Sequence, residues 1–351
     1  MKKLIAILLL ATLSINAQDI GKVKIKKEKF GTFGLRNFKK APKRLFINSF
    51  NVGVEIFREN YAFKRKGNFL KTGNAEANAA VGITGLIKED FQREIDRVYQ
   101  DFIQDFKDKG IEIITAEEVK GLKFFEGYES AKGPYIINSS TPGILTGCPT
   151  GHTQFYQAKK SGKVKKSFMG EGFKNPKLSD ELEDALVLDV NLYLMFASAK
   201  SKKGIVSAKS EILINPRLAD SEMIVNKKKK TKLGIFGSVG FKGAAKTYQL
   251  ATNYTIGSGK KGLYFEAQYQ SVLDESIEIN GILKKQTFKA KAYQDVQIGE
   301  RNSFLDELKD VSVKNAIWLN VDSKKYVEGM YNACHAFLSE NNKVLFDKME
   351  L

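Results

Sequence analysis

Between residues 87 and 106 the chain places Ile87, Phe91, Ile95, Val98, Phe102 and Phe106 at steps of four, four, three, four and four. Lys88, Glu89, Arg93, Asp96, Arg97 and Asp101 fill the positions between. Only a helix brings those six apolar side chains onto one face, and such a face has to be covered by a core. The alanine-rich stretch from Asn74 can extend this helix at its front, although Gly82 and Gly85 work against it.

The flanks supply what the stripe packs on. Residues 43–57, rich in Phe, Ile and Val, predict a strand. Behind the helix, Gly110 is a stop, Ile111 to Ile114 a short strand, and Thr115 with Glu118 the spacing of a capping box. Residues 121–184, with scattered glycines, prolines and lysine runs, read as a long insertion with little regular structure. Then "ALVLDVNLYLMFAS", 185–198, reads as a nearly continuous apolar strand, and residues 204–218 pair with it across a lysine-rich turn. From 231 to 297 the glycine-rich, aromatic, alternating sequence predicts antiparallel β structure, and 304–313 a short helix. Asp322 caps a last helix with Tyr326, Met330, Ala333, Cys334 and Phe337 on its apolar face, ending near Asn341. The expected fold class is α+β: a sheet carrying a long amphipathic helix (43–120), the insertion (121–184), an antiparallel β-rich segment (185–297) and a closing helical segment (298–351).

The first residues, "MKKLIAILLLATLSINAQDI", have the charged start, short apolar run and small residues of a secretory signal peptide, with cleavage expected after Ala17. A basic extended arm, 18–42, follows. The expected address is therefore the periplasm or outer membrane, or release from the cell. The net charge of +17 comes in lysine runs, among them Lys227, Lys228, Lys229 and Lys230. With export expected, those runs point to solvated loops or to an anionic envelope component or envelope protein as partner, with peripheral membrane contact and self-association both open, and away from nucleic acid.

Few residues carry a chemical signature. Gly257, Gly259 and Gly262 have the spacing of a dinucleotide loop, but no helix pattern follows Gly262, and Tyr254 and Lys261 break a Walker loop. Instead Tyr248, Leu250, Tyr254 and Ile256 on one arm, and Leu263, Phe265 and Tyr269 on the other, form the apolar face of a β-hairpin around "GSGKKG". That face suits a membrane or a partner, while Asn253, Glu266, Gln268 and Gln270 form the opposite, water-facing side. The two cysteines and two histidines occur as Cys148 with His152 and Cys334 with His335. A Cys148–Cys334 disulfide is expected, two free thiols or a metal site being the alternatives. No catalytic elbow is present, and Asp189, set inside an apolar strand, is the one carboxylate that needs a partner. No cofactor is expected.

The succession "RLFINSFNVGVEI", the helix to Phe106, "GIEIITAEEV", "ALVLDVNLYLMFAS" and "SAKSEILINPRL" resembles the periplasmic α/β domain of the curli secretion channel family, and the amino-terminal domain of the Tol-system propeller protein. The likeness covers about half the chain. It implies an envelope protein that binds or assembles rather than catalyses, and no catalytic residue carries over. Channel members of that family are lipoproteins that place β-hairpins in the outer membrane as a ring, and the lipid-bearing cysteine has no counterpart here. The expected function is thus a non-catalytic binding or assembly module, with a pore component and an envelope hydrolase as alternatives.

Overall fold

The computed structural model describes residues 19–64, 75–158, 174–203, 208–227, 245–289 and 316–351. The signal segment 1–17, Lys228, Lys229, Lys230 and the short helix expected over 304–313 lie outside the described residues. The chain begins with β1 (Ile25–Lys27), a helical turn at Leu35–Lys40, β2 (Arg44–Glu55), β3 (Phe57–Lys64), β4 (Ala75–Thr84) and α1 (Lys88–Asp108). Next come β5 (Glu112–Ile113), α2 (Ala116–Val119), β6 (Glu129–Lys132), β7 (Tyr135–Asn138), β8 (Ile144–Cys148) and β9 (Thr153–Tyr156). After α3 (Asn175–Glu181) run β10 (Leu186–Lys203), β11 (Ala208–Leu218), β12 (Ser221–Lys227), β13 (Ala245–Ala251), β14 (Asn253–Lys261) and β15 (Tyr264–Leu273). The chain closes with β16 (Ile277–Glu278), β17 (Gln286–Lys289), β18 (Ile317–Asn320) and α4 (Ser323–Met349).

Helices and strands are mixed around a sheet-rich body that ends in a helix, as an α+β chain requires. The main sheet has the order β1-β15-β14-β10-β2-β8-β7. The described pairs within 185–297 are antiparallel, and two parallel pairs join this segment, or β18 in a separate sheet with β4 and β3, to strands from earlier in the chain. β10 runs parallel to β2, and β18 parallel to β4, because the chain between each pair is long enough to cross over. β10 is long enough to serve two neighbours on one side: its first half pairs with β14 and its second half with β11.

The helices cover one face of this sheet. Phe91, Ile95, Val98, Phe102 and Phe106 of α1 and Tyr326, Met330, Ala333 and Phe337 of α4 share one core with Phe50, Leu188, Val190, Tyr254 and Ile256 of the strands. Ile87 is the N-cap of α1 and half exposed, so the buried stripe starts at Phe91. The stretch expected to extend α1 forward is β4 instead, held between β3 and β18. Gly82 fits there because a Cβ would come within 2.2 Å of the Trp318 ring on β18.

The capping box forms as read, with Glu118 accepting from Thr115 N at 2.7 Å. Asp322 caps α4, and its side chain accepts from Lys325 N. That helix continues past Asn341 to Met349, since Asn341 and Asn342 are buried and bonded rather than terminal. The region expected to be a loose insertion contributes β7 and β8 to the main sheet, and β6 with β9 as a separate pair. The basic arm is extended only in part. β1 pairs with the outer edge of β15, and Phe33 bridges to Gln268.

Candidate functional site

The other face of the main sheet is polar where it is not covered. Strand alternation puts Tyr254 and Ile256 of β14 into the helix-side core and Asn253 and Thr255 opposite. On β10 the same alternation buries Leu188, Val190 and Leu192 and turns Asp189 and Asn191 away from them. β2 adds a device of its own. Its pairing with β10 skips one residue between Ile47 and Ser49. This bulge lets Asn48 and Ser49, although adjacent, both reach Asp189.

Asp189 is the centre of the polar floor. Its Oδ1 accepts from Asn48 Nδ2 at 2.9 Å and from Ser49 Oγ at 2.7 Å, and its Oδ2 accepts from Asn175 Nδ2 at the start of α3. Loss of hydration pushes its carboxyl above the usual carboxylate range, against the pull of those donors. Beside it, an amide ladder crosses three strands. Asn51 Nδ2 donates to Asn191 Oδ1 at 3.1 Å, Asn191 Nδ2 to Asn253 Oδ1 at 3.2 Å, and Asn253 Nδ2 to Ala251 O at 3.0 Å. Each amide carries two N–H groups and two lone pairs, so the ladder occupies one N–H of each and leaves the second.

Aromatic walls turn this floor into a cleft of about 960 Å³. Phe125 and Phe155 belong to a small second core with Phe46, Val187, Leu178 and Phe265 that closes one end. Phe124 and Tyr128 stack with ring centroids 6.0 Å apart along the side. At the mouth stand Phe30, Leu263 and Tyr264, which are 99%, 78% and 57% exposed. Exposed large apolar side chains gathered at one polar cleft are the usual mark of a binding site.

The hairpin residues fall into different places than the alternation suggested. β14 continues to Lys261 and β15 begins at Tyr264, so the turn is Gly262–Leu263, with Gly262 in the left-handed region at φ 67°. Gly257 lies under the Phe265 ring, and strands rather than a helix flank Gly262, so these three glycines belong to a hairpin. Tyr248 and Leu250 belong to β13, which pairs with β12 and packs with Ile144, Met195 and Ile224. Tyr254, Ile256 and Tyr269 are in the helix-side core and Phe265 in the smaller one, leaving Leu263 exposed. The apolar face expected to meet a membrane or a partner is therefore consumed inside this chain. Its opposite side, with Asn253, Gln268 and Gln270, lines the cleft.

The expected disulfide does not form. Cys148 and Cys334 are both free and buried. β8, which carries Cys148, and α4, which carries Cys334, each pack on α1. Burial pushes the Cys148 thiol up to about 12 and the Cys334 thiol higher still. His152 is buried beside Tyr99, ring centroids 5.7 Å apart, and loss of hydration pulls its pKa down to about 4. His335 stacks on Tyr331 instead. Among the described residues no cluster of His, Cys, Asp and Glu has the form of a metal site. Of the lysine block, only Lys227 falls within the described residues, at the end of β12.

Asp189 was legible as a residue in need of partners, and Gln268 and Gln270 as a water-facing row. Asn48, Asn51, Asn175 and Asn191 carry no motif; the only trace was the polar alternation that breaks two otherwise apolar strands. Comparisons with protein-family models, with curated proteins and with solved structures find no match for the chain.

Proposed function

We propose that this chain is a non-catalytic binding module of the cell envelope and that the cleft over the polar face of the main sheet is its binding site. The observation that carries the reading is the amide ladder Asn51–Asn191–Asn253 beside the saturated carboxylate of Asp189, framed by aromatic walls and an exposed apolar mouth. A floor of bonded side-chain amides is preorganised, so a ligand can use it without first ordering it. The cleft lining contains one carboxylate and neither histidine nor cysteine. Hydrolysis of a glycosidic bond ordinarily needs two carboxyl groups, so among the described residues of the cleft binding is favoured over glycoside hydrolysis.

The envelope address rests on the signal-like first residues, and the architecture proposed is that of the curli secretion channel domain, a long amphipathic helix lying on a sheet. The lysine block beginning at Lys227 is the proposed contact for an anionic envelope surface. The pore alternative draws no support from the hairpin, whose apolar face is occupied within the chain at every position but Leu263. The reading is tested by fragment screening on isotope-labelled full-length protein, observing side-chain NH₂ resonances. Polar aromatic fragments are expected to shift the Asn51, Asn191 and Asn253 signals together. Shifts scattered over the surface, with those signals unmoved, would reject the site.

A further inference from the structure

A second hollow of about 500 Å³ adjoins the cleft and shares Phe124, Tyr128, Pro176 and Leu263 with it. Pockets for a single small ligand measure about 300–1,000 Å³, so the cleft alone lies at the top of that range and the two hollows together exceed it. The ligand that fits them is a chain. Its chemistry follows from three properties of the lining.

The floor selects groups that both donate and accept. Each ladder amide has a second N–H, and Gln268 and Gln270 add further amides on β15. Hydroxyls match amides in this respect. Among the described residues the lining also lacks an excess of charge. Asp189 is satisfied by three donors, Lys260 faces Asp180 at 2.9 Å, and Lys177 faces Glu181 at 3.7 Å. Lys174 lies over the Tyr128 ring, and Glu126 stands in the same hollow. Lastly, Phe30, Phe33, Phe124 and Tyr128 line the walls, giving apolar aromatic surface that suits the C–H groups of a sugar ring.

A peptide fits less well. Strand addition needs an open sheet edge, and the outer edge of β15 is already paired with β1 and with Phe33. A peptide would have to lie across the sheet face, with its backbone groups matched only by side chains.

We propose that the cleft and the adjoining hollow form one groove for a linear, uncharged oligosaccharide. This rests on the binding-module reading above. The test is calorimetric titration of the full-length protein with cellotetraose, chitotetraose and maltotetraose, each beside its monosaccharide, and with an uncharged hexapeptide of Ser, Asn and Gly. At least one tetrasaccharide is expected to bind tenfold or more tightly than its monosaccharide. Asn191→Ala in the floor and Tyr128→Ala in the shared wall are each expected to weaken it at least fivefold, and Lys343→Ala, exposed on α4 across the sheet from the groove, to leave it unchanged. Circular dichroism on each variant separates a lost site from a lost fold; if a variant unfolds, Asn191→Ser and Tyr128→Leu replace it. Binding of the hexapeptide alone, or no tetrasaccharide binding while fragments still shift the ladder amides, overturns the oligosaccharide inference and spares the binding-module reading. Absence of both overturns the two together. Tetrasaccharide binding that neither variant weakens places the sugar elsewhere and also overturns the groove.

Discussion

The Tyr269 hydroxyl donates to Asn341 Oδ1 at 2.8 Å, a bond buried between the main sheet and α4. The same oxygen accepts from Ser271 Oγ, while Asn341 Nδ2 donates to Phe337 O at 2.8 Å. One residue along, Asn342 accepts from Tyr254 at 3.2 Å and donates to Asp105 of α1 at 2.9 Å. Two adjacent asparagines thus bind the helix layer to the sheet. Asn341→Leu removes the acceptor of two buried hydroxyls, each costing about 1–3 kcal/mol when left unpaired. We expect urea denaturation to show a loss of about 3 kcal/mol, part of it recovered when Tyr269→Phe and Ser271→Ala are added.

Glu55 and Arg58 form a second buried joint, where β2, β3, β11 and β12 meet. Arg58 donates to Glu55, and its Nη1 lies 3.1 Å from Glu222, which in turn pairs with Arg217. Glu55 Oε2 also accepts from Phe196 N at 3.1 Å and Ala197 N at 3.0 Å, at the irregularity where β10 shifts register. Glu55→Ala takes one of two carboxylates from a buried guanidinium and leaves two backbone amides without their acceptor, and is expected to cost about 3 kcal/mol. The double change Glu55→Gln with Arg58→Met is expected to cost less than the sum of its single changes. Additivity in denaturant midpoints would show that the two side chains are not coupled.

His152 makes stability depend on pH. Its folded pKa of about 4 lies below the unfolded value near 6.5, so the unfolded chain binds the proton more tightly. Stability is complete above pH 6.5 and falls as pH drops toward 4, by about 3 kcal/mol for this group. The difference in unfolding free energy between wild type and His152→Phe should change across that window. Parallel curves from pH 7 to 4 would remove His152 as the cause.

Cys148 and Cys334 are expected to titrate as two thiols in protein denatured without reductant. In the native state both should react with a maleimide far more slowly than a free thiol, because burial blocks access and raises both pKa values. Finding no thiols after denaturation would restore the disulfide.

Local signals in the sequence survived best. The 3.6-residue period around Phe91 to Phe106, the Thr115–Glu118 box and the Asp322 cap depend on neighbours a few residues apart, and each is found where it was read. What failed depends on distant partners. Alternation in β14 and β15 identifies two faces without saying which one the chain covers, and α1 and α4 decide that from far away in sequence. The Asn341–Asn342 pair resembles a helix end because its acceptors and donors, Tyr269, Tyr254 and Asp105, are invisible locally. The site was half legible for the same reason. Asp189 announced a need for partners, but the β2 bulge that supplies Asn48 and Ser49 exists only once β2 and β10 lie side by side.

Trp318 is the single tryptophan of the chain. It sits on β18 over Gly82, 5.9 Å from the Phe57 ring. The intrinsic tryptophan emission therefore reports on the β18-β4-β3 sheet alone. The described groove lining holds no tryptophan, so opening of that small sheet can be followed by intrinsic emission without a label while the groove is being titrated.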